Sequence, residues 1–461
     1  MRFLALPCFA LICTACGGDS AKSDPDSALP PDLGTRKAGG DWPHFLGPTG
    51  DSVSPETGLV APWPKEGPRL VWQIPTGEGY AAATISRGRL FLFDRVKDQQ
   101  RLRCLKSETG DPLWDFEYPT DYTDLYNYSG GARCCAVVDR DRVYILGPEG
   151  MLHCLRVDDG KVVWKKDIVT SFHVVPNFFG VGSTPVVEGD LLIAQVGGSP
   201  KDVEDTRPRL DLPGLDSGVV AFDKYTGDVK WHVTDELASY SSPVLATIGD
   251  RRWCFVFARG GLIGLDPATG KVDFHYPWRA PILESVNVSN PVVSGDRVFI
   301  SETYGPGAAL LEVKPGAYKE VWTDAAKTRN KSMQCHWNTP ILVDGYLYGC
   351  SGRHTDTAEL RCIEFATGKV MWSVPDMKRC SLLRVDGHFV CISEDGVLRL
   401  LKINPNQYEE VSQIELKQTE NGEEVPLLHY PAWAAPVLSH GLLYLRGRDR
   451  LVCLELIPDK K

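Results

Sequence analysis

The sequence predicts an all-β fold, an eight-bladed β-propeller of four-stranded antiparallel blades. Three observations predict it. First, a turn ending in glycine recurs with an aromatic residue four positions later: Trp114 after Gly110, Trp164 after Gly160, Trp231 after Gly227, Phe274 after Gly270 and Trp372 after Gly368. Recurrence at a fixed period is the mark of a repeat architecture, about 40–50 residues being one blade. Second, runs rich in β-branched and aromatic residues lie between these turns, which is strand composition. Third, the last unit, starting at Ala434, runs out after three strands, while Leu70-Val71-Trp72-Gln73-Ile74 precedes the first unit and belongs to none.

Taken in chain order, the first element is a leader. Met1-Arg2 is followed by an almost wholly apolar run from Phe3 to Ala15. That is shorter than the ~20 residues a membrane span needs, and it reads as a signal peptide, residues 1–15. Cys13-Thr14-Ala15-Cys16-Gly17 resembles a bacterial lipobox with Cys16 as the lipidated residue, although Cys13 stands where that motif usually has leucine. Residues 16–40 are rich in Ser, Asp, Pro and Gly and are predicted to be a flexible tether. Residues 41–69 form a lead-in segment, and 70–457 the propeller. The predicted location is exported, periplasmic and lipid-anchored, at the outer membrane.

Each blade is justified by its turns. Ser183-Thr184-Pro185-Val186-Val187 and the following Leu191-Leu192-Ile193 are two strands joined by Gly189-Asp190, a tight hairpin pair. A third strand ends where glycine supplies a positive φ, as at Gly227. The fourth carries the aromatic. Inner strands start near Ala82, Cys134, Ser183, Ser241, Ser289, Asn338, Cys380 and Ala434, which makes eight. A seven-bladed ring stays open if the unit at Cys380, whose outer strand lacks tryptophan, is irregular. Val71 and Trp72 are expected to complete the last blade and close the ring, leaving short protected edges and a monomer. The outer tryptophans are inter-blade packing. Cys104, Cys154, Cys362 and Cys453 occupy one repeat position each and read as small buried apolar residues. The acidic pairs Asp139/Asp141 and Asp158/Asp159 read as turn formers.

Composition sets limits on function. Lys and Arg total 50 against 60 Asp and Glu, a net charge of −10, which argues against nucleic acid as a partner. No Cys-x-x-Cys-His haem site, His-Glu-x-x-His helix, phosphate-binding glycine loop or Gly-x-Ser-x-Gly elbow occurs. No catalytic residue and no metal site is therefore predicted.

The repeat, with the opening Asp41-Trp42-Pro43-His44-Phe45-Leu46-Gly47-Pro48 and Asn177-Phe178-Phe179-Gly180-Val181-Gly182-Ser183-Thr184-Pro185, resembles the pyrroloquinoline-quinone (PQQ) repeat superfamily of exported eight-bladed propellers. One branch of that superfamily comprises quinoprotein dehydrogenases with PQQ and calcium in the central channel. Another comprises BamB-type lipoproteins, non-enzymatic scaffolds in outer-membrane barrel assembly. Leader, tether and bare ring resemble the second. The resemblance implies a cofactor-free scaffold that binds a protein partner or a small polar ligand on one face. A PQQ-dependent oxidoreductase is the alternative, since adjacent Cys134 and Cys135 resemble the vicinal disulfide of quinoprotein alcohol dehydrogenases. A carbohydrate- or peptide-binding module is a third reading.

The candidate site is the ring mouth. Inner-strand starts line one end of the channel and are small and mostly polar, while the loops feeding them carry aromatics and arginine, the composition of recognition surfaces. The candidate residues are Tyr128, Arg133, Cys134, Cys135, Asn177, Phe178, Ser183, Tyr240, Asn290, His336, Trp337, Asn338 and Trp433. Tyr126, His173, Phe179, His429 and Tyr430 lie in the same loops.

Overall fold

A computed structural model describes residues 29–203, 207–420 and 422–459. The leader and Cys16 lie outside the described residues. Among the described residues, eight four-stranded antiparallel sheets follow one another as blades: residues 84–119, 137–167, 186–233, 244–277, 292–323, 341–374, 380–415 and 437–455. The eighth contributes three strands of its own, and Arg69–Pro75 adds the fourth, with Trp72 opposite Cys453. The unit at Cys380 is a full blade, so the ring has eight.

Local chemistry explains why the repeat keeps its residue types. In most blades a small third-strand residue faces the outer aromatic: Cys104 pairs with Trp114, Cys154 with Trp164, Ala221 with Trp231, Gly264 with Phe274, and Cys362 with Trp372, whereas blade 5 sets Leu310 against Trp322. A small residue there leaves room for the ring. The strand then shifts register by a bulge, as between Cys154 and Leu155, which increases local twist. Each indole reaches into the next blade. Trp72 Nε1 donates to the Ser107 carbonyl at 3.0 Å, Trp114 to Val157 at 3.0 Å, Trp164 to Lys224 at 3.0 Å, Trp322 to Phe365 at 2.9 Å and Trp372 to Asn404 at 3.0 Å. At these five tryptophans the blades are tied by apolar contact and by one hydrogen bond that satisfies the indole, whereas the Trp231 indole N–H is buried without an acceptor among the described residues.

The lead-in segment crosses one end of the channel. Trp42 and Ile85 exchange backbone hydrogen bonds at 2.9 and 2.8 Å, Val138 N–H donates to Pro43, and Arg384 pairs with Ser52 and Ser54. It therefore staples blades 1, 2 and 7 at the far ends of their inner strands. Glu56 adds blade 8 by accepting from the backbone of His440 at 2.9 Å and Gly441 at 2.7 Å. Of the segment expected to be a tether, the part from Leu29 lies against the ring: Leu33 N–H donates to the Arg87 carbonyl at 3.0 Å and Glu108 accepts from Arg36 N–H at 3.0 Å. A hairpin of Lys417–Glu420 and Glu423–Pro426, not foreseen, follows blade 7 and meets Arg450 through Gln418 at 2.6 Å.

Candidate ligand-binding funnel

At the other end the inner-strand starts open into a cavity of about 1640 Å³, with Phe45, Leu46 and Ser52 of the lead-in segment among its lining. Small-molecule pockets are usually ~300–1,000 Å³, so this is space for something larger. The wall is organised by a ladder running between blades. In blades 3 to 6 the second residue of the strand start takes the backbone N–H of the preceding blade: Thr184 Oγ1 accepts from Cys135 N–H at 3.1 Å, Ser242 Oγ from Thr184 at 3.1 Å, Asn290 Oδ1 from Ser242 at 2.8 Å and Thr339 Oγ1 from Asn290 at 3.0 Å. Small polar residues stand here because the first N–H of an inner strand has no ladder partner of its own and must find one.

The residue just before each pair points to the rim. Arg133, Tyr240, Trp337, Arg379 and Trp433 hold that position and all line the cavity. With the loops they make a collar. Tyr126 stacks on Phe178 at 5.9 Å and Tyr128 on Phe179 at 6.0 Å. The Arg133 guanidinium lies over Phe179 at 5.1 Å and Tyr80 at 5.4 Å. Tyr80 meets Trp433 at 4.8 Å, and Trp433 meets Trp337 at 5.2 Å. Arg379 covers both indoles, at 4.5 and 5.3 Å. His336 and Tyr304 continue the arc, with Arg353 over Tyr304 at 4.6 Å. Phe178, Tyr240, Val286 and Tyr304 pack together and close it.

Ion pairs and hydrogen bonds tie the collar to buried carboxylates. Arg379 Nε lies 2.9 Å from Glu394 Oε2, which also accepts from Trp433 Nε1 at 2.9 Å. Burial pushes the Glu394 carboxyl up, but Arg379 and Trp433 more than offset this and hold it below its ordinary value. Burial, then the charges of Arg379 and Arg353, push His336 down to about 3, so it is neutral. Asp124 receives Arg133 Nη2 at 2.8 Å and the backbone N–H groups of Tyr126, Tyr128 and Ser129.

Of the residues picked out from sequence, Tyr128, Arg133, Cys135, Phe178, Tyr240, His336, Trp337, Asn338 and Trp433 line the funnel. Four turn elsewhere. Cys134 packs between blades 2 and 3, because adjacent strand residues face opposite ways. Ser183 Oγ donates to the Ser241 carbonyl at 2.8 Å, Asn290 belongs to the ladder, and Asn177 Nδ2 reaches the Ala238 carbonyl at 3.4 Å. His173 ends a short helix, Ile168–Phe172, with its Nε2 2.8 Å from the Val203 carbonyl. Sequence reasoning missed Tyr80, Tyr304, Arg353 and Arg379. Arg379 had a signal: it precedes Cys380-Ser381 as Arg133 precedes Cys134-Cys135.

The residues present do not make a calcium–quinone site. Among the described residues no group of three His, Cys, Asp or Glu is placed to hold a metal ion. The buried carboxylates near the mouth are taken by protein donors: Glu394 by Arg379 and Trp433, Asp124 by Arg133, and Glu302 by the N–H groups of Tyr304, Gly305 and Gly307. Cys134 and Cys135 are free, buried thiols, one between blades and one on the funnel wall. Burial pushes the Cys135 thiol up to about 12, so it carries no thiolate at neutral pH.

Comparison with known structures agrees with the architecture. The chain is similar to BamB from Moraxella catarrhalis, at 12% identity and a TM-score of 0.54, over 84% of this chain and 97% of that one. It is also similar to the quinohemoprotein alcohol dehydrogenase from Comamonas testosteroni, at 12% identity and a TM-score of 0.61, over 91% and 81%. At such identities these likenesses establish the fold alone. No curated protein matches the sequence. The profile of the family described as "Outer membrane protein assembly factor BamB" matches residues 98–374. That match spans more than half of a chain whose eight blades carry the repeat throughout, and the protein belongs to the BamB family.

Proposed function

We propose that this protein is an exported, non-enzymatic scaffold that binds a protein partner at the funnel mouth. It is held by a lipid on Cys16 at the periplasmic face of the outer membrane. The collar carries this reading: aromatic rings and arginines surround a space wider than small-molecule pockets usually are, and Tyr126, Tyr128 and Tyr430 at its rim are exposed. Tyr, Trp and Arg are the residues that dominate interface energetics. Membership of the BamB family supports partners in outer-membrane assembly. The location rests on the lipobox-like Cys16.

The test is a native pull-down from membranes with wild type, Cys16→Ser and a Tyr126→Ala/Tyr128→Ala double variant. The reading expects Cys16→Ser to leave the membrane fraction and the double variant to stay there without its partner. It is overturned if the double variant keeps every partner, or if added PQQ and calcium confer alcohol or sugar oxidation.

A further inference from the structure

We propose that the funnel binds an acidic polypeptide segment. The inference rests on the scaffold reading and names the chemistry of its partner. The chain as a whole is acidic, at −10, yet eight Lys and Arg line the funnel against three carboxylates. Three of those cations, Arg101, Arg133 and Arg379, are neutralised from behind by the buried Asp94, Asp124 and Glu394. Lys97, Arg353 and Arg448 have no ion-pair partner among the described residues. The local field therefore opposes that of the whole molecule, and a concave low-dielectric wall concentrates it.

The hydrogen-bonding inventory points the same way. Trp337, His336 and Arg133 line the funnel, and within them Trp337 Nε1, His336 Nδ1 and Arg133 Nη1 are shut off from solvent and have no acceptor among the described residues. An indole N–H and a guanidinium can only donate. A buried donor left unpaired costs about 1–3 kcal/mol, so a side-chain rotation that turns one of these groups toward a carboxylate or carbonyl oxygen in the funnel is favoured. Arg133 is separated from Trp337 around the collar by the rings of Tyr80 and Trp433. One small anion does not serve both arcs, whereas an extended segment does.

The test uses the full chain without its leader and three probes: a labelled decapeptide of alternating Glu and Tyr, its Gln/Tyr twin, and dextran sulfate. The acidic peptide should bind about tenfold more tightly than its neutral twin, roughly 1.4 kcal/mol, and the advantage should shrink with salt. An Arg353→Gln/Arg448→Gln variant that melts with wild type should lose that advantage. Lys161→Gln, on an exposed outer turn, should keep it. Equal binding of the two peptides, or an undiminished advantage in the double variant, overturns the inference. So does dextran sulfate binding as tightly as the acidic peptide, because the site then reads charge and not polypeptide. A partner captured from membranes by a protein that ignores both peptides overturns the acidic assignment and leaves the scaffold reading standing.

Discussion

The indole of Trp114 lies against the α-carbon of Gly160 in the next blade, so close that a β-carbon there would stand 2.6 Å from the ring. Gly160 also has a φ of +67°. Two requirements therefore fall on one residue, a left-handed backbone and a missing side chain. Gly189 has the first alone: its φ is +56° and a β-carbon would meet nothing within 4 Å. Left-handed backbone costs an L-residue about 1–2 kcal/mol, and an overpacked contact adds about 1–3 kcal/mol. Gly160→Ala should therefore lower unfolding free energy in urea by about 1–3 kcal/mol more than Gly189→Ala. Equal losses would show that the indole contact does not matter.

That pairing explains which parts of the molecule were legible in sequence. Glycine and tryptophan recur four residues apart, and each glycine receives the tryptophan of the preceding blade, as Gly227 receives Trp164 and Gly270 receives Trp231. The periodic signal is thus the packing itself, repeated, and eight blades could be counted. The funnel was half legible. Arg133, Tyr240, Trp337 and Trp433 stand beside strand starts and could be placed by register. Tyr304 and Arg353 lie in loops between second and third strands, whose lengths differ from blade to blade, so no register places them. The lead-in segment could be recognised by its residues, but the end of the channel that it covers depends on hydrogen bonds to Ile85, Val138 and Arg384, which local pattern does not encode.

The ladder gives a second prediction. Thr184 accepts from Cys135 N–H at 3.1 Å, and both residues are buried. Thr184→Val keeps the shape and strands the N–H, which should cost about 1–3 kcal/mol. Thr184→Ser keeps the oxygen and loses a methyl, so it should cost about 1 kcal/mol or less. Amide exchange at Cys135 separates the two: it should accelerate in the valine variant and stay slow in the serine variant.

The Arg379–Glu394 pair gives a third. The Glu394 side chain is 1% exposed and that of Arg379 14%, so water is a poor substitute for Arg379 at the carboxylate. Removing one member of a buried pair costs about 3–5 kcal/mol, whereas replacing both with apolar groups can be nearly neutral. Glu394→Leu should be strongly destabilising and should free Trp433, which shows as altered tryptophan emission. Arg379→Met combined with Glu394→Leu should recover most of the loss. Additive losses in the double variant would mean that the two residues act separately.

Two histidines should shape the pH dependence of stability with opposite sign. His440 Nδ1 lies 2.9 Å from the Ala38 carbonyl and Nε2 3.3 Å from Asp41. Both ring nitrogens thus face acceptors, and only the imidazolium donates to both. Asp41 first, with Ala38 and the nearby Glu56 adding, raises its pKa against the cost of burial, while Arg36 approaches the His440 carbonyl at 3.3 Å. A raised folded value means that the contribution is complete below the ordinary value of 6.5 and fades as pH rises through the folded one. His336, held down to about 3 beside Arg379 and Arg353, stays neutral in the fold while the unfolded chain takes a proton. Its site therefore loses stability as pH falls below 6.5. Unfolding midpoints in urea at about pH 5.5 and about pH 8.5, on either side of the ordinary histidine value of ~6.5, separate the two. His440→Asn should lose stability at the lower pH and little at the higher. His336→Phe should fall less than wild type on acidification, because phenylalanine takes no proton in either state. If His440→Asn lost as much at the higher pH as at the lower, the charge on His440 would not be what fastens the lead-in segment to blade 8.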